Sequence, residues 1–270
     1  MNEHEMAPRW KPSPLVLASC AVHLGAAAAL LVRPRVWPWA LGALLADHMA
    51  LAAAGLWPRS QLLGPNWTRL PARGLERGVA ITIDDGPDPM VTPQVLALLE
   101  GYGASATFFC IGERVLRYPD LAQEVVRRGH AIENHSQRHR HNFSLLGPSG
   151  MNAEVASAQE SIFRVTGSMP RFFRAPAGLR NPFLDPVLVR LKLRLASWTR
   201  RGFDTVSADA DAVFRRLASP LKVGDILLLH DGHAARTRAG RPVILEVLPR
   251  LLETLSAHQL KSVTLRSALQ

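Results

Sequence analysis

Apolar residues are unevenly spread along this chain: two long runs come first and short ones follow. Positions 14–32 and 36–57 are almost continuously apolar, each close to the ~20 residues a helix needs to cross a bilayer. Arg33-Pro34-Arg35 breaks them apart, and Trp37, Trp39 and Trp57 stand where interfacial aromatics belong. The pattern predicts a helical hairpin in a membrane. A helical pair buried against a soluble domain is the alternative. Asp47 weakens the second segment, since an acid near the centre of a spanning helix costs roughly 2.5–3.5 kcal/mol. Arg9 and Lys11 precede the hairpin, Arg59, Arg69, Arg73 and Arg77 follow it, and Arg33 and Arg35 sit in its turn. These flanks favour a bacterial-type inner membrane with the downstream domain facing the cytoplasm, whereas a single span would face it the other way.

From Gly78 the rhythm changes. Short apolar runs at 79–85, 106–111, 130–135, 171–175, 195–198, 225–230 and 262–266 read as strands. Amphipathic stretches at 92–101, 114–128, 151–166, 208–217 and 243–258 read as helices between them, with Thr92-Pro93 and Ser207 as starting residues. Seven β runs alternating with helices predict parallel βα units, and the count fits a distorted (β/α)7 barrel in the α/β class better than an open sheet. The expected organisation is an N-terminal segment at 1–60, a linker at 61–77 and a barrel domain at 78–270.

Composition changes this picture little. The 270 residues carry 32 Lys+Arg against 22 Asp+Glu, a net charge of +10, which draws the surface towards anionic partners such as lipid head groups or phosphate-bearing glycans. There is no aromatic-interleaved basic stripe, so nucleic acid is excluded as the partner. Cys20 and Cys110 are too few for a disulfide framework or a thiolate zinc site. Leu17-Ala18-Ser19-Cys20 is not a lipoprotein cleavage box, because the chain stays apolar after it. Oligomeric state is not legible.

The polar chemistry gathers at the ends of the strand runs. Asp84 and Asp85 end the first, His135 the third with His139 just beyond, and Arg174 the fourth; Trp198 and then Asp204 follow the fifth, and His230 ends the sixth. In a βα barrel these ends converge on one face, where such folds place their chemistry. His135 and His139 face one metal if the segment turns helically after the strand, and a carboxylate from Asp84-Asp85 supplies a third ligand. The bland reading of His130, His135, His139 and His141 is a solvated loop. The adjacent acids weigh against it, because two carboxylates at a buried strand end need a cation. Arg174-Ala175-Pro176-Ala177-Gly178 is either loop punctuation or an arginine that orients a carboxylate, followed by a turn presenting an N–H to an oxyanion. Leu227-Leu228-Leu229-His230 is either a capped core strand or the mount of a general acid.

Together these residues resemble the polysaccharide deacetylase family, the NodB-homology or carbohydrate esterase 4 enzymes, over roughly 79–269. Thr82-Ile83-Asp84-Asp85-Gly86-Pro87 is similar to the family's first motif, and His135-Ser136-Gln137-Arg138-His139 to the second. Arg174-Ala175-Pro176-Ala177-Gly178 is similar to the third and Leu228-Leu229-His230 to the fifth. The fourth is loose, with Trp198 and downstream Phe203-Asp204 in place of an acid-tryptophan pattern. Ala177 stands where the family usually has an aromatic, so a wall of the sugar pocket is missing and substrate preference does not carry over.

The resemblance implies a hydrolase removing N-acetyl or other acyl groups from carbohydrate, with a divalent metal, zinc first and cobalt, nickel or manganese as alternatives. It implies Asp85, His135 and His139 as ligands, Asp84 as base, Arg174 orienting Asp84, His230 as acid and Asp204 tuning His230. Pro176, Ala177, Trp198 and Leu228 would form the oxyanion and substrate wall. The substrate is an acetylated glycan or a glycolipid, and the same site serves an O-acetyl ester. An inactive, membrane-anchored glycan-binding protein on this fold is the reading from another class.

Overall fold

A computed structural model of the chain describes residues 9–71 and 77–269. The first eight residues of the expected N-terminal segment, residues 72–76 of the expected linker with Arg73, and Gln270 lie outside the described residues. Two long helices open the fold, α1 (Pro14–Val32) and α2 (Trp37–Leu56). Ser13 caps α1, its Oγ accepting from the Val16 amide, and Pro14 takes the first-turn position where a missing N–H costs nothing. Only 6% of the most apolar window of α1, and 17% of the equivalent window over Pro34–Leu56, is covered by protein, at mean hydropathies of 2.2 and 1.4. Most of both helices is therefore not packed against the rest of the described chain, unlike the buried pair considered above, and each is long and apolar enough to cross a bilayer. Asp47 does not face the apolar surroundings alone: Ser19 Oγ on α1 donates to its Oδ2 at 2.8 Å, with His23 and His48 close by.

The rest is a curled parallel sheet of eight strands wrapped by helices. Its strands are β1 (Gly78–Gly86), β2 (Ala106–Cys110), β3 (Ala131–Asn134), β4 (Phe172–Phe173), β5 (Arg194–Leu195), β6 (Arg200–Arg201), β7 (Ile226–His230) and β8 (Lys261–Ser262). They are ordered β5-β4-β3-β2-β1-β7-β6, with β8 pairing β1 at its start. The intervening helices are α3 (Thr92–Gly101), α4 (Gly112–Arg117), α5 (Pro119–Arg127), α6 (Pro148–Thr166), α7 (Leu184–Arg190), α8 (Ala210–Ala218) and α9 (Ile244–Ala257).

Strand alternation splits the core in two. Val79, Ile81 and Ile83 pack outward with Phe108, Leu227 and Leu229 against α3 and α9. Ala80, Phe109, Phe172, Trp198, Ile226 and Leu228 fill the barrel interior. Side chains two apart share a face, so Ala80, Thr82 and Asp84 line up inward. The segment before the barrel belongs to it structurally: Trp67 bridges Ala196 just after β5, and Arg69 bridges Asp225 just before β7.

Four expectations change. The helix expected at 114–128 is two, because Pro119 lacks the N–H to continue α4 and starts α5 instead. The run at 262–266 pairs only through Lys261–Ser262. An eighth strand, β6, appears where no apolar run marked it. The α8 start is Asp209, whose carboxylate accepts from the Ala212 amide at 3.0 Å, rather than Ser207.

Candidate active site

The carboxyl ends of β1, β3 and β7 open into a cleft of about 250 Å³. Asp84 and Asp85 both reach it, although consecutive strand residues normally face opposite ways. A bulge resolves the conflict. Asp84 stays in register with Phe109 and His230, the ladder to β2 slips between Asp84 and Gly86, and Asp85 takes φ 72°. A bulge of this kind re-aims a side chain where the pairing ends.

Asp85 Oδ1 lies 3.3 Å from His135 Nε2 and 3.2 Å from His139 Nε2. That oxygen is buried and accepts no hydrogen bond. His135 Nδ1–H donates to the Arg174 carbonyl at 2.8 Å, which fixes the tautomer and leaves the Nε2 lone pair facing Asp85. His139 arrives by a different route than expected. No helical turn follows β3; Ser136 and His139 take left-handed φ values of 65° and 49°, and Ser136 Oγ accepts from the His139 amide at 3.0 Å. Left-handed non-glycine residues at Asp85, Ser136, His139, Ala177 and His233 crowd around this one cleft, the kind of local strain that surrounding structure must hold in place.

Asp84 is held from below. Arg174 Nη1 donates to Asp84 Oδ1 at 2.6 Å and to Thr82 Oγ1 at 2.8 Å, while its Nε and Nη2 donate to the carbonyls of Ala196 and Ser197. Its guanidinium stacks 4.1 Å over the Phe109 ring. Fully buried, Arg174 forms the floor of the cleft rather than a wall, which leaves Asp84 Oδ2 on the His135 side, 3.8 Å from Nε2.

Across the cleft His230 Nδ1–H donates to Asp204 Oδ1 at 2.8 Å, and the His230 amide donates to Asp204 Oδ2 at 2.7 Å. Burial pushes the His230 imidazole down, but the charge and hydrogen bond of Asp204, with Asp84 and Asp85 behind, carry it up to about 9. Burial alone would raise the Asp85 carboxyl; the neighbouring His135, His233 and His230 imidazoles outweigh it and hold the group well below the usual carboxylate range. His139 is pushed down to about 4 by burial and by the charge of His135. Burial also lowers Arg174, against the pull of Asp84.

Trp198, Leu228 and Ala177 line the cleft as the sequence led us to expect. Pro176 does not; it is buried inside the short turn Pro176–Gly178. Within that turn Gly178 and Leu179 donate the backbone hydrogen bonds, and the Ala177 N–H takes no part in them. His130 stands apart: its Nδ1 accepts from the Ala106 amide at 3.2 Å, a core role. Three residues that line the cleft escaped the sequence reading: His233, Arg201 and Thr205. His233 Nδ1 lies 3.3 Å from Asp85 Oδ2, and Arg201 forms part of the rim. The available signal for His233 was an imidazole two residues past His230-Asp231 on a glycine turn.

The two imidazoles and a carboxylate with an unspent oxygen place three ligand atoms within 4.8 Å of one another. This donor set fits a borderline divalent cation and keeps positions open.

Comparison with known proteins agrees with this geometry. The polysaccharide deacetylase family profile matches residues 72–196. A peptidoglycan-N-acetylglucosamine deacetylase of Bacillus cereus is 35% identical over 65% of this chain and 82% of its own length. A family 4 carbohydrate esterase from Streptomyces lividans, solved with acetate, is 31% identical at a TM-score of 0.63, covering 70% of this chain and 93% of its own. A family 4 pseudoenzyme from Bacillus anthracis shares the fold at a TM-score of 0.67 and 20% identity, over 76% of this chain and 69% of its own, so activity must be argued from residues and not from shape. By sequence, fold and motif order, the chain belongs to the polysaccharide deacetylase family, the carbohydrate esterase 4 hydrolases.

Proposed function

We propose that this chain is a membrane-anchored, metal-dependent N-deacylase of carbohydrate, with 1–60 as anchor, 61–77 as connecting segment and 78–270 as catalytic domain. The observation that carries the reading is Asp85 Oδ1, buried and without a donor, facing two imidazole nitrogens. A buried anionic oxygen in that state is costly unless a cation completes it. Asp85, His135 and His139 would hold the ion, with Zn²⁺ the first choice for this donor set and Co²⁺, Ni²⁺ or Mn²⁺ able to replace it. When bound, such an ion supplies Lewis acidity and lowers the pKa of water towards ~7.

The chain's own groups account for the proton traffic. Asp84, its Oδ1 pinned by Arg174, presents Oδ2 as the base that takes a proton from the attacking water. The Ala177 N–H is the donor for the oxyanion that develops as the acyl carbon becomes tetrahedral. His230 keeps a proton on Nε2 because Asp204 stabilises its cationic form, and delivers it to the departing amine. The C–N bond breaks, water's hydroxyl ends on the acyl carbon, and a free carboxylic acid and an amine leave.

Anchoring rests on the two bare apolar helices. The Bacillus cereus relative is a deacetylase of peptidoglycan N-acetylglucosamine, and an acylated sugar is the substrate class we assign. The test is metal analysis of the purified full-length protein coupled to acetate release from N-acetylglucosamine oligosaccharides and from membrane-extracted glycolipid. We expect about one equivalent of divalent metal per chain. We also expect Asp84→Asn to lower turnover by ~10²–10⁴-fold with metal retained. Full activity in that variant removes Asp84 as base, and absence of stoichiometric metal removes the reading altogether.

A further inference from the structure

Beside the catalytic cleft lies a second, larger hollow of about 690 Å³, walled by Trp57, Arg59, Trp198, Arg201, Phe203 and Arg216. Trp198 and Arg201 line both spaces, so the two adjoin along these side chains. No acidic side chain lines the hollow among the described residues. Arg59, Arg201 and Arg216 enter no ion pair there, unlike Arg200, which is engaged by Asp225. Arg201 Nε is buried and without a hydrogen-bond partner. Its guanidinium stacks on Trp198 and Phe203, at 5.4 and 4.9 Å from the ring centroids, and Arg216 approaches Phe203 from 5.8 Å. Arg201 and Arg216 on aromatic faces, with Arg59 beside them, bring three guanidiniums that no carboxylate neutralises into one anion seat. Arg59 and Arg216 each spend one N–H on a backbone carbonyl, of Thr199 and Gly202, and the planar fork suits phosphate oxygens.

Position decides where that phosphate comes from. Trp57 ends α2, and Arg59 follows two residues later. The catalytic turn is clamped to the same helix end: the Arg180 amide donates to the Gly55 carbonyl at 3.1 Å and Arg180 Nη2 to the Ser60 carbonyl at 2.6 Å. Gly55 is needed for this approach, since a Cβ there would lie 2.1 Å from the Arg180 carbonyl oxygen. Pro58 packs against Gly178 in the cleft wall, next to the place where Ala177 leaves the family's usual aromatic missing.

We infer that the hollow binds the phosphate of a lipid-linked substrate, an acylated sugar joined through phosphate to a membrane-embedded chain. This rests on the deacylase reading for what lies at the cleft end. The arginines hold the phosphate at the exit of α2, the exposed Trp57 and Phe203 faces receive the first carbons of the lipid, and the sugar extends past Trp198 to the Asp85 side.

Full-length protein in neutral detergent micelles tests this. Acetate release is compared for N-acetylglucosaminyl farnesyl phosphate and for the farnesyl glycoside of N-acetylglucosamine, which lacks the phosphate. Binding of farnesyl phosphate, farnesol and phosphatidylglycerol is measured in parallel. We expect a KM at least about tenfold lower for the phosphate compound, the loss expected for one charge-assisted hydrogen bond. Arg59→Gln with Arg216→Gln should bring the two KM values within about twofold and weaken farnesyl phosphate binding by about tenfold. Arg216→Lys, which keeps charge but not the fork, should give about a threefold shift and guards against a misfolded double variant. Equal KM values in the wild type, or a preference surviving the double variant, overturn the inference. Phosphatidylglycerol competing as well as farnesyl phosphate also overturns it, assigning the hollow to the bulk bilayer. If neither sugar is hydrolysed while farnesyl phosphate binds in an arginine-dependent way, the seat stands and the deacylase reading fails for that sugar.

Discussion

Among the described residues two places bring one aspartate together with two histidines, and they differ in what is left unspent. In the barrel, Asp85 faces His135 and His139 through Nε2 atoms, and its Oδ1 is buried with no donor. In the helical pair, Asp47 Oδ2 already accepts from Ser19. The Nδ1 atoms of His23 and His48 nearest to it, at 3.7 and 3.9 Å, are turned to the carbonyls of Ser19 and Leu44 one helical turn back. Residue types alone therefore do not make a metal centre. An acceptor that the fold buries and does not satisfy is what supports the proposed one. The other cluster is a polar staple between two apolar helices, which keeps Asp47 from standing alone.

The largest expected difference is in metal content. Asp85→Asn should leave the purified protein with essentially no bound divalent ion, while Asp47→Asn should retain about one equivalent per chain, both read by elemental analysis. Loss of metal in the second variant and not the first would invert the comparison. Next comes stability. Arg174→Met leaves the Asp84 carboxylate buried without its partner, at an expected cost of about 3–5 kcal/mol in denaturant unfolding. An unchanged unfolding midpoint would mean that Arg174 contributes nothing to the floor of the cleft.

A smaller effect concerns protons. In metal-free protein His230 should titrate near about 9, followed by NMR of its ring protons. A folded-state pKa above the unfolded value of about 6.5 stabilises the fold fully below that value, and the contribution is lost as pH rises through about 9. Asp204→Asn should move the titration downward, since burial then acts with less opposition from charge. If it stays near its original value, Asp204 does not tune the imidazole. The smallest effect is in the staple. Ser19→Ala should weaken the association of α1 with α2 by about 0.6 kcal/mol, the average for hydrogen bonds between membrane helices, and leave turnover unaltered.

Much of the site was legible because strand ends are legible. Asp84-Asp85, His135, Arg174 and His230 each close an apolar run, and a βα pattern sends such ends to one rim. What could not be read was how backbone irregularity aims them. Alternation alone would send Asp85 to the helical side of β1, and only the bulge turns it inward. A helical turn was the simplest way to bring His139 beside His135, yet left-handed Ser136 and His139 do it instead. The split at Pro119 was visible in principle, since a proline interrupts any helical period. The clamp between Arg180 and the Gly55 carbonyl joins residues far apart in the chain through backbone atoms, which leave no trace in side-chain patterning.

The slip in the β1 ladder also has a mechanical meaning. Asp84 is tied on both sides, opposite Phe109 and His230, whereas Asp85 rides on the displaced residue just beyond. The proposed base is thus held by the ladder on both sides, and the proposed ion ligand sits at the residue where the ladder slips. On the proposed reading, exchanging one ion for another of different radius should be taken up at the slipped residue and leave the Asp84 position unaltered.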